Sequence, residues 1–220
     1  MKVSKIITPA QKNILDIFSQ NKYLTKNFVL SGGTALAGFY LPYRFSEDLD
    51  FFSLNEVNVL DIATFLKSLK SKINYTKFDL NTSFNRNLVY LHFSSEIIKL
   101  EFTYYPFPSV ETPNYYKNIK VDTVLDIATN KLFTIYQKPR SRDFIDLYMI
   151  QKKYHYKISD LIKKAKLKFD WHVDNLKLGS QFLLCTTLLD YPNLVKPIEP
   201  LLWQKYFLNE AKKLKKIIVK

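Results

Sequence analysis

Two aspartates separated by one residue form the pattern with the clearest chemical potential in this sequence. Apolar side chains predict a strand at residues 49–52, and Asp48 and Asp50 lie at its start. Residues i and i+2 of a strand point to the same face, so both carboxylates can bind one or two divalent metal ions. Mg²⁺, or Mn²⁺ in its place, accepts carboxylates together with phosphate oxygens. The alternative is a surface strand with aspartate at its exposed positions.

A pair of adjacent glycines precedes these aspartates. Gly32 and Gly33 are two of only four glycines in the chain, and they follow a short apolar strand predicted at residues 28–30. Glycine lets the backbone approach a phosphate closely, and the first amides of the following helix then point at the anion. Ser31 and Thr34 can add hydroxyl donors. We therefore expect a nucleoside triphosphate (NTP) to bind here, unless the glycines only form a tight turn.

A third carboxylate is available on a later predicted strand. Alternation within residues 97–104 places Lys99, Glu101 and Thr103 on one strand face. If this strand pairs beside residues 49–52, Glu101 completes a trio of metal-binding carboxylates with the two aspartates. The alternative is that Lys99 and Glu101 form a polar face toward solvent.

A further cluster of charged residues occurs in the second half of the chain. Lys131 lies in a helix predicted at residues 122–137, and Asp143 and Asp146 share one face of the next predicted helix. A lysine and a carboxylate could bind a triphosphate and activate a hydroxyl nucleophile. The alternative is electrostatic stabilisation of the helices, because an aspartate in a first turn complements the helix dipole.

The elements that position these residues divide the chain into a mixed α/β half, residues 1–120, and a helical half, residues 121–220. The predicted class is therefore α+β with a helical C-terminal domain. In the first half, hydrophobic periodicity predicts helices at 9–20, 34–40 and 56–71, and strands at 28–30, 49–52, 74–80, 87–93 and 97–104, the last two as a hairpin. In the second half, the predicted helices are 122–137, 142–153, 158–168, 174–189 and 200–217.

Charge distinguishes the same two halves. The chain has 33 Lys and Arg against 20 Asp and Glu, and residues 151–220 alone carry 15 against 6. A basic C-terminal third indicates a surface for a polyanion such as RNA; the alternative is a lysine-rich solvated surface. No apolar run approaches the roughly 20 residues that span a bilayer, so we expect no membrane partner and no signal peptide. The single cysteine, Cys185, excludes an internal disulfide and fits a reducing cytoplasm.

These residues resemble the motifs of the AbiEii/AbiGii nucleotidyltransferase toxins over roughly residues 28–150. The first motif is specific, because its glycines, its serine and both aspartates come in order and at fitting distances. Lys138 departs from the pattern, since relatives often have an arginine there, and lysine keeps the charge but loses the planar fork. The matching residues are Gly32, Gly33, Thr34, Ala35, Leu36, Arg44, Ser46, Asp48, Asp50, Lys131, Arg142, Asp143, Asp146, Leu147 and Tyr148.

The resemblance implies a polymerase-β-like nucleotidyltransferase fold and the toxin half of a toxin–antitoxin or phage-defence pair, with a possible cognate antitoxin protein. Several relatives transfer nucleotides to tRNA acceptor ends, so RNA is the expected acceptor; protein or small-molecule hydroxyls and a non-catalytic binding module are the alternatives. Glu101 and Asp143 compete for the place of the third carboxylate. The implied roles are metal binding for Asp48 and Asp50, nucleotide binding for Gly32, Gly33, Thr34, Arg44 and Ser46, triphosphate binding for Lys131 and a catalytic role for Asp143.

Overall fold

The computed structural model describes the backbone of residues 1–218 and the side chains of residues 1–215. The chain divides into two compact units. The first comprises Met1–Pro108 and Thr112–Thr123, and the second comprises Ser109–Glu111 and Val124–Lys220.

The first unit is built on a seven-stranded mixed sheet with the strand order β3-β4-β5-β2-β1-β7-β6. Strand β2 pairs in parallel with β5, and β1 pairs in parallel with β7, whereas the other neighbours are antiparallel. The strands are β1 (Phe28–Ser31), β2 (Asp48–Ser53), β3 (Lys77–Ser83), β4 (Arg86–His92), β5 (Ile97–Tyr104), β6 (Asn114–Tyr116) and β7 (Ile119–Val121), and the helices of this unit are α1 (Pro9–Phe18), α2 (Lys22–Asn27), α3 (Gly32–Phe39) and α4 (Val59–Lys70).

The two faces of the central strands differ in chemistry. One face carries aromatic side chains that pack against helices: Phe51 of β2 stacks on Phe18 of α1 with ring centroids 4.2 Å apart, and Phe102 of β5 meets Phe65 of α4 edge to face. Because side chains alternate along a strand, the acidic side chains of β2 and β5 all lie on the opposite face. The packing of the rings thus determines which face carries the carboxylates.

Helix α1 shows how local sequence begins an element at a defined residue. Thr8 precedes the helix, and its hydroxyl accepts a hydrogen bond from the backbone amide of Gln11, whose side chain accepts one from the amide of Thr8. Pro9 occupies the first turn, where its missing amide proton has no helical partner to lose. This reciprocal cap anchors Gln11, whose side chain also donates hydrogen bonds at the site described below.

The second unit is helical in its described part, as the periodicity predicted. Its core is an aromatic cluster: Phe144 stacks with Trp203 and meets Phe207 edge to face, with ring centroids 6.1 and 4.8 Å away. The elements are α5 (Val124–Gln137), α6 (Ser141–Tyr154), α7 (Ile158–Phe169), α8 (Asn175–Leu183), a 3₁₀ turn (Leu184–Thr186) and α9 (Pro200–Ile218).

The α+β class predicted from the sequence is confirmed, and so is the hairpin of β4 and β5. Three short elements were missed: α2, β6 and β7. The helix predicted at residues 174–189 ends earlier, at Leu183, and continues only as the 3₁₀ turn. Within residues 1–218, no helix has the length and apolarity needed to cross a membrane.

Candidate active site

The first glycine of the pair makes room for an aspartate. Gly32 has φ of +71°, a backbone conformation that side chains disfavour. A Cβ atom there would lie 2.2 Å from Oδ2 of Asp50, so the carboxylate occupies the volume that any other residue would fill. The sheet brings the two together, because Ser31 at the end of β1 is paired with Asp50 of β2. The glycine turn and the Asp50 carboxylate therefore form one structural unit.

The second glycine makes room for an arginine. A Cβ atom at Gly33 would lie 1.9 Å from Nη2 of Arg44 and 3.2 Å from Oγ of Ser46. The guanidinium of Arg44 is buried at the first turn of α3 and donates a hydrogen bond to the carbonyl of Phe45 at 2.9 Å. A helix N-terminus with an arginine and a serine hydroxyl beside it presents several donors to a phosphate.

Two polar side chains hold the segment between Arg44 and β2. The hydroxyl of Thr34 donates a hydrogen bond to the carbonyl of Asp48. Nε2 of Gln11 donates to the carbonyls of Ser46 and Glu47 at 2.9 and 3.1 Å. The sequence alone did not indicate that Gln11 contacts this segment. Its capping pattern with Thr8 accounts for the side-chain oxygen of Gln11 but not for the nitrogen. Gln11 thus connects α1 to the loop that carries Ser46.

The structure meets the condition under which Glu101 was expected to join the aspartates. Strand β5 pairs in parallel with β2, with Glu101 opposite Asp50 and Lys99 opposite Asp48. Glu101 is buried, with 7% of its surface exposed. The pairing therefore brings the three predicted carboxylates onto adjacent positions of one sheet face.

Two cations accompany these carboxylates. Nζ of Lys99 lies 2.9 Å from Oδ2 of Asp48 and 3.7 Å from Oε2 of Glu101. Arg86 of β4 donates from Nε and Nη2 to the two oxygens of Glu101, both at 2.7 Å. Burial opposes charge on both Lys99 and Glu101, but Asp48 raises the pKa of Lys99 above its usual value, and Arg86 lowers the pKa of Glu101 below its own. Lys99 and Glu101 are therefore both ionised at neutral pH.

Arg86 is a residue that the sequence alone did not indicate. Its contact with Glu101 can be predicted only when β4 and β5 are known to form a hairpin and the register of that hairpin is known. Arg86 is paired with Thr103, two positions beyond Glu101, so its side chain emerges on the same face as that carboxylate.

The donor set suits a divalent metal, which the motifs of the chain imply. Mg²⁺ prefers carboxylate oxygens. Here the positively charged ammonium of Lys99 lies between carboxylate oxygens of Asp48 and Glu101. In the conformation described for residues 1–218, no three His, Cys, Asp or Glu side chains are arranged to hold a metal ion. Arg86 and Lys99 contact carboxylate oxygens of Glu101 and Asp48 in this conformation.

The second unit contains its own charged cluster. Nζ of Lys131 lies 2.6 Å from carboxylate oxygens of both Asp143 and Asp146, and Nε of Arg140 lies 2.7 Å from the other oxygen of Asp143. Both aspartate side chains are fully buried. Burial alone would raise the pKa of Asp143, but Lys131 and Arg140 hold it below its usual value. The structure thus brings Lys131 and Asp143 together and adds Arg140, a residue of the same charged run to which the sequence assigned no role.

Comparison with known proteins decides the family. The model of the nucleotidyl transferase AbiEii toxins of type IV toxin–antitoxin systems matches residues 15–216. The chain belongs to the AbiEii family. It is accordingly a nucleotidyltransferase, which confirms what the resemblance of its motifs implied.

Solved structures share the fold of this AbiEii protein along almost its whole length. JHP933 from Helicobacter pylori is 23% identical with a TM-score of 0.59, over 98% of this chain and 94% of that one. A putative nucleotidyltransferase from H. pylori is 25% identical with a TM-score of 0.59, over 97% of this chain and 98% of that one.

A relative is also found by sequence. An uncharacterised protein of Aquifex aeolicus (strain VF5) is 29% identical over 150 residues, which are 66% of this chain and 68% of the relative. The nucleotidyltransferase fold expected from the motifs is confirmed.

Proposed function

We propose that this AbiEii toxin transfers a nucleotide from an NTP to a hydroxyl of RNA, specifically tRNA, in a reaction that requires Mg²⁺ or Mn²⁺. One observation carries the proposal. Asp50 lies against the backbone of Gly32 and is paired across the sheet with Glu101, which supports one site that contains both the glycine turn and the carboxylates.

In this proposal the turn binds the triphosphate. The amides at Gly32 and Gly33, the hydroxyl of Ser46 and the guanidinium of Arg44 donate hydrogen bonds to phosphate oxygens, while Thr34 keeps Asp48 in position. This arrangement orients the α-phosphorus for attack by the acceptor oxygen. A new P–O bond then forms while the bond to the leaving pyrophosphate breaks, and the proton of the acceptor hydroxyl is released to water.

The carboxylates of Asp48, Asp50 and Glu101 are the proposed metal ligands. A divalent metal bound there supplies positive charge that neutralises the triphosphate and the leaving pyrophosphate. Between the two candidates for the third carboxylate we choose Glu101, because its strand pairs directly with the strand of the aspartates.

For the second charged cluster we propose a supporting role in the same reaction. Both oxygens of Asp143 accept hydrogen bonds from cations that hold its pKa below the usual value, so it is poorly placed to take a proton from a hydroxyl. We propose instead that Asp143 and Asp146 hold the ammonium of Lys131, the predicted triphosphate ligand, in a fixed position.

The acceptor and the partners complete the proposal. The excess of basic residues in 151–220, 15 against 6, suits the phosphate backbone of an RNA. We also propose a cognate antitoxin protein, a role in phage defence and a cytoplasmic location, where NTP and tRNA are both available.

The test is transfer of label from NTPs to total tRNA in the presence of Mg²⁺. We expect the wild-type protein to label tRNA, EDTA to abolish labelling, and Asp48→Asn or Asp50→Asn to lower the rate on the order of 10²-fold or more. Asp79→Asn is the matched control, because Asp79 lies on β3 of the same sheet and is half exposed.

The outcomes separate the possible acceptors. Label that appears in a protein or a small molecule instead of tRNA rejects the RNA acceptor and leaves nucleotidyl transfer standing. Labelling that is unchanged in both aspartate variants rejects the proposed site.

A further inference from the structure

The positively charged ammonium of Lys99 lies among the proposed metal ligands. The Lys99 ammonium is 2.9 Å from Oδ2 of Asp48 and 3.7 Å from Oε2 of Glu101, and Asp50 also contributes to its electrostatic environment. Only 22% of the Lys99 side chain is exposed. The ammonium is thus a counter-ion of the carboxylates, placed between two of the three proposed ligands.

A second cation holds the third ligand in place. Arg86 donates to both oxygens of Glu101, and the hydroxyl of Thr103 donates to one of them at 3.0 Å. Glu101 therefore keeps its orientation without a metal ion. Lys99 differs from Arg86 because its single ammonium, on a flexible four-carbon stem, reaches carboxylates of two neighbouring strands.

We propose that Lys99 is a displaceable counter-ion that makes divalent metal and nucleotide bind to this site together. The inference rests on the proposed function, since it assumes that Asp48, Asp50 and Glu101 are metal ligands. A divalent cation that binds Asp48 must displace the Lys99 ammonium or bind beside it, and two positive charges a few ångströms apart repel one another strongly in a partly buried site.

The nucleotide removes this obstacle. A triphosphate bound at the turn of Gly32 and Gly33 gives the ammonium a new anionic partner, and the four-carbon stem of Lys99 gives it reach. Metal binding therefore strengthens when nucleotide is present, and by thermodynamic reciprocity nucleotide binding strengthens with metal by the same factor. A lysine that only stabilised the sheet would not couple the two ligands.

The experiment is titration calorimetry of Mn²⁺ into the full chain, with and without an NTP analogue whose α–β bridge is a methylene group. We expect nucleotide to tighten Mn²⁺ binding to the wild-type protein by at least about tenfold. Lys99→Met removes the charge, so Mn²⁺ alone should bind at least about tenfold more tightly than to wild type, and the effect of nucleotide should shrink by the same factor.

Three further variants make the result interpretable. Lys77→Met removes a lysine from β3 of the same sheet, whose Nζ lies 3.6 Å from a carboxylate oxygen of Asp79, and should bind Mn²⁺ as wild type does. Lys99→Gln removes the same charge with a polar side chain and serves if Lys99→Met does not fold. Asp48→Asn should abolish Mn²⁺ binding. That result would show that the heat measured with the wild-type protein comes from Mn²⁺ binding at this site.

Failure of this inference is distinguishable from failure of the proposed function. If Asp48→Asn abolishes Mn²⁺ binding but wild type and the Lys99 variants bind Mn²⁺ equally well, the metal site stands and the counter-ion role of Lys99 is rejected. If no protein binds Mn²⁺, even with nucleotide, both the metal site and the inference are rejected.

Discussion

The two glycines of the turn at residues 32–33 matter because they have no side chain. Gly32 leaves space for the carboxylate of Asp50, and Gly33 leaves space for the guanidinium of Arg44. Two adjacent glycines therefore serve two different neighbours, one on a paired strand and one on a loop. An alanine at either position would displace a charged group that we propose to contact metal or phosphate.

Replacing these glycines should affect both stability and activity. Gly32→Ala forces a side chain into a left-handed conformation and against Asp50, so we expect a loss of about 1–3 kcal/mol in the free energy of unfolding and loss of nucleotidyl transfer. Gly33→Ala should keep more of the stability, because the flexible Arg44 can move, but lose transfer as well. Urea unfolding and the labelled-tRNA assay measure the two effects.

Gly179 provides the matched control. It lies within α8, and the nearest atom to an added Cβ would be 3.8 Å away, an ordinary contact. Gly179→Ala should therefore stabilise the protein by about 0.4–1 kcal/mol through the unfolded state. If Gly32→Ala unfolded at the same urea concentration as Gly179→Ala, the close approach of Asp50 to Gly32 would be disproved.

At the scale of elements, the short edge of the sheet depends on contacts with α1. Strands β6 and β7 have three residues each, too few to be stable as an isolated hairpin. Asp16 of α1 accepts from the hydroxyl of Tyr116 and pairs with Lys117, both at 2.8 Å. These contacts join residues about a hundred positions apart in sequence, so they form only when the unit folds.

Asp16 gives this contact a pH dependence. Although burial raises its pKa, hydrogen bonds from Lys117, Lys12 and Tyr116 lower it from 3.8 to about 2. A carboxylate whose pKa is lowered by folding contributes stability above its unfolded pKa and loses it as the pH falls through the folded pKa. We expect Asp16→Asn to lose about 1–2 kcal/mol at pH 7 and the two proteins to converge between pH 4 and pH 2.

Urea unfolding at a series of pH values measures this difference. Asp160→Asn is the control, because Asp160 is exposed on α7 and its substitution should change stability by less than about 0.5 kcal/mol. A constant difference between wild type and Asp16→Asn across the pH range would contradict the ionic role of Asp16.

At the scale of the whole molecule, charge determines the expected behaviour toward RNA. The net charge is +13, and most of the excess lies in residues 151–220. If exposed lysines there contact phosphates, the affinity for tRNA should fall steeply with salt. Replacing Lys166, Lys212 and Lys215 by Gln should weaken binding and reduce the slope of log K against log [salt] by about 0.7–0.9 for each phosphate that the variant no longer neutralises.

Three exposed lysines of the first unit provide the control of equal charge. Lys5→Gln, Lys67→Gln and Lys70→Gln together should weaken binding less and leave the slope nearly unchanged. Filter binding at several salt concentrations measures both slopes. If the two triple variants behave alike, tRNA responds to net charge only, and the helical unit has no specific role in binding it.

The sequence by itself determined features that depend on neighbours along the chain. The spacing of Asp48 and Asp50 placed both on one face of a strand, and the glycine pair predicted the turn, because both features depend on local geometry. Long amphipathic helices and the hairpin of β4 and β5 were predicted for the same reason. The short elements α2, β6 and β7 were missed, since six or three residues carry too little periodicity to be recognised.

Only the tertiary structure decided which distant residues meet the aspartates. Glu101 was one of two alternatives until the parallel pairing of β2 with β5 placed it opposite Asp50, fifty-one positions away in sequence. The same pairing set Lys99 beside Asp48, and the register of β4 brought Arg86 to Glu101. Strand order and register depend on packing of the whole sheet, which no local pattern encodes, so the cations that accompany the carboxylates could be known only from the fold.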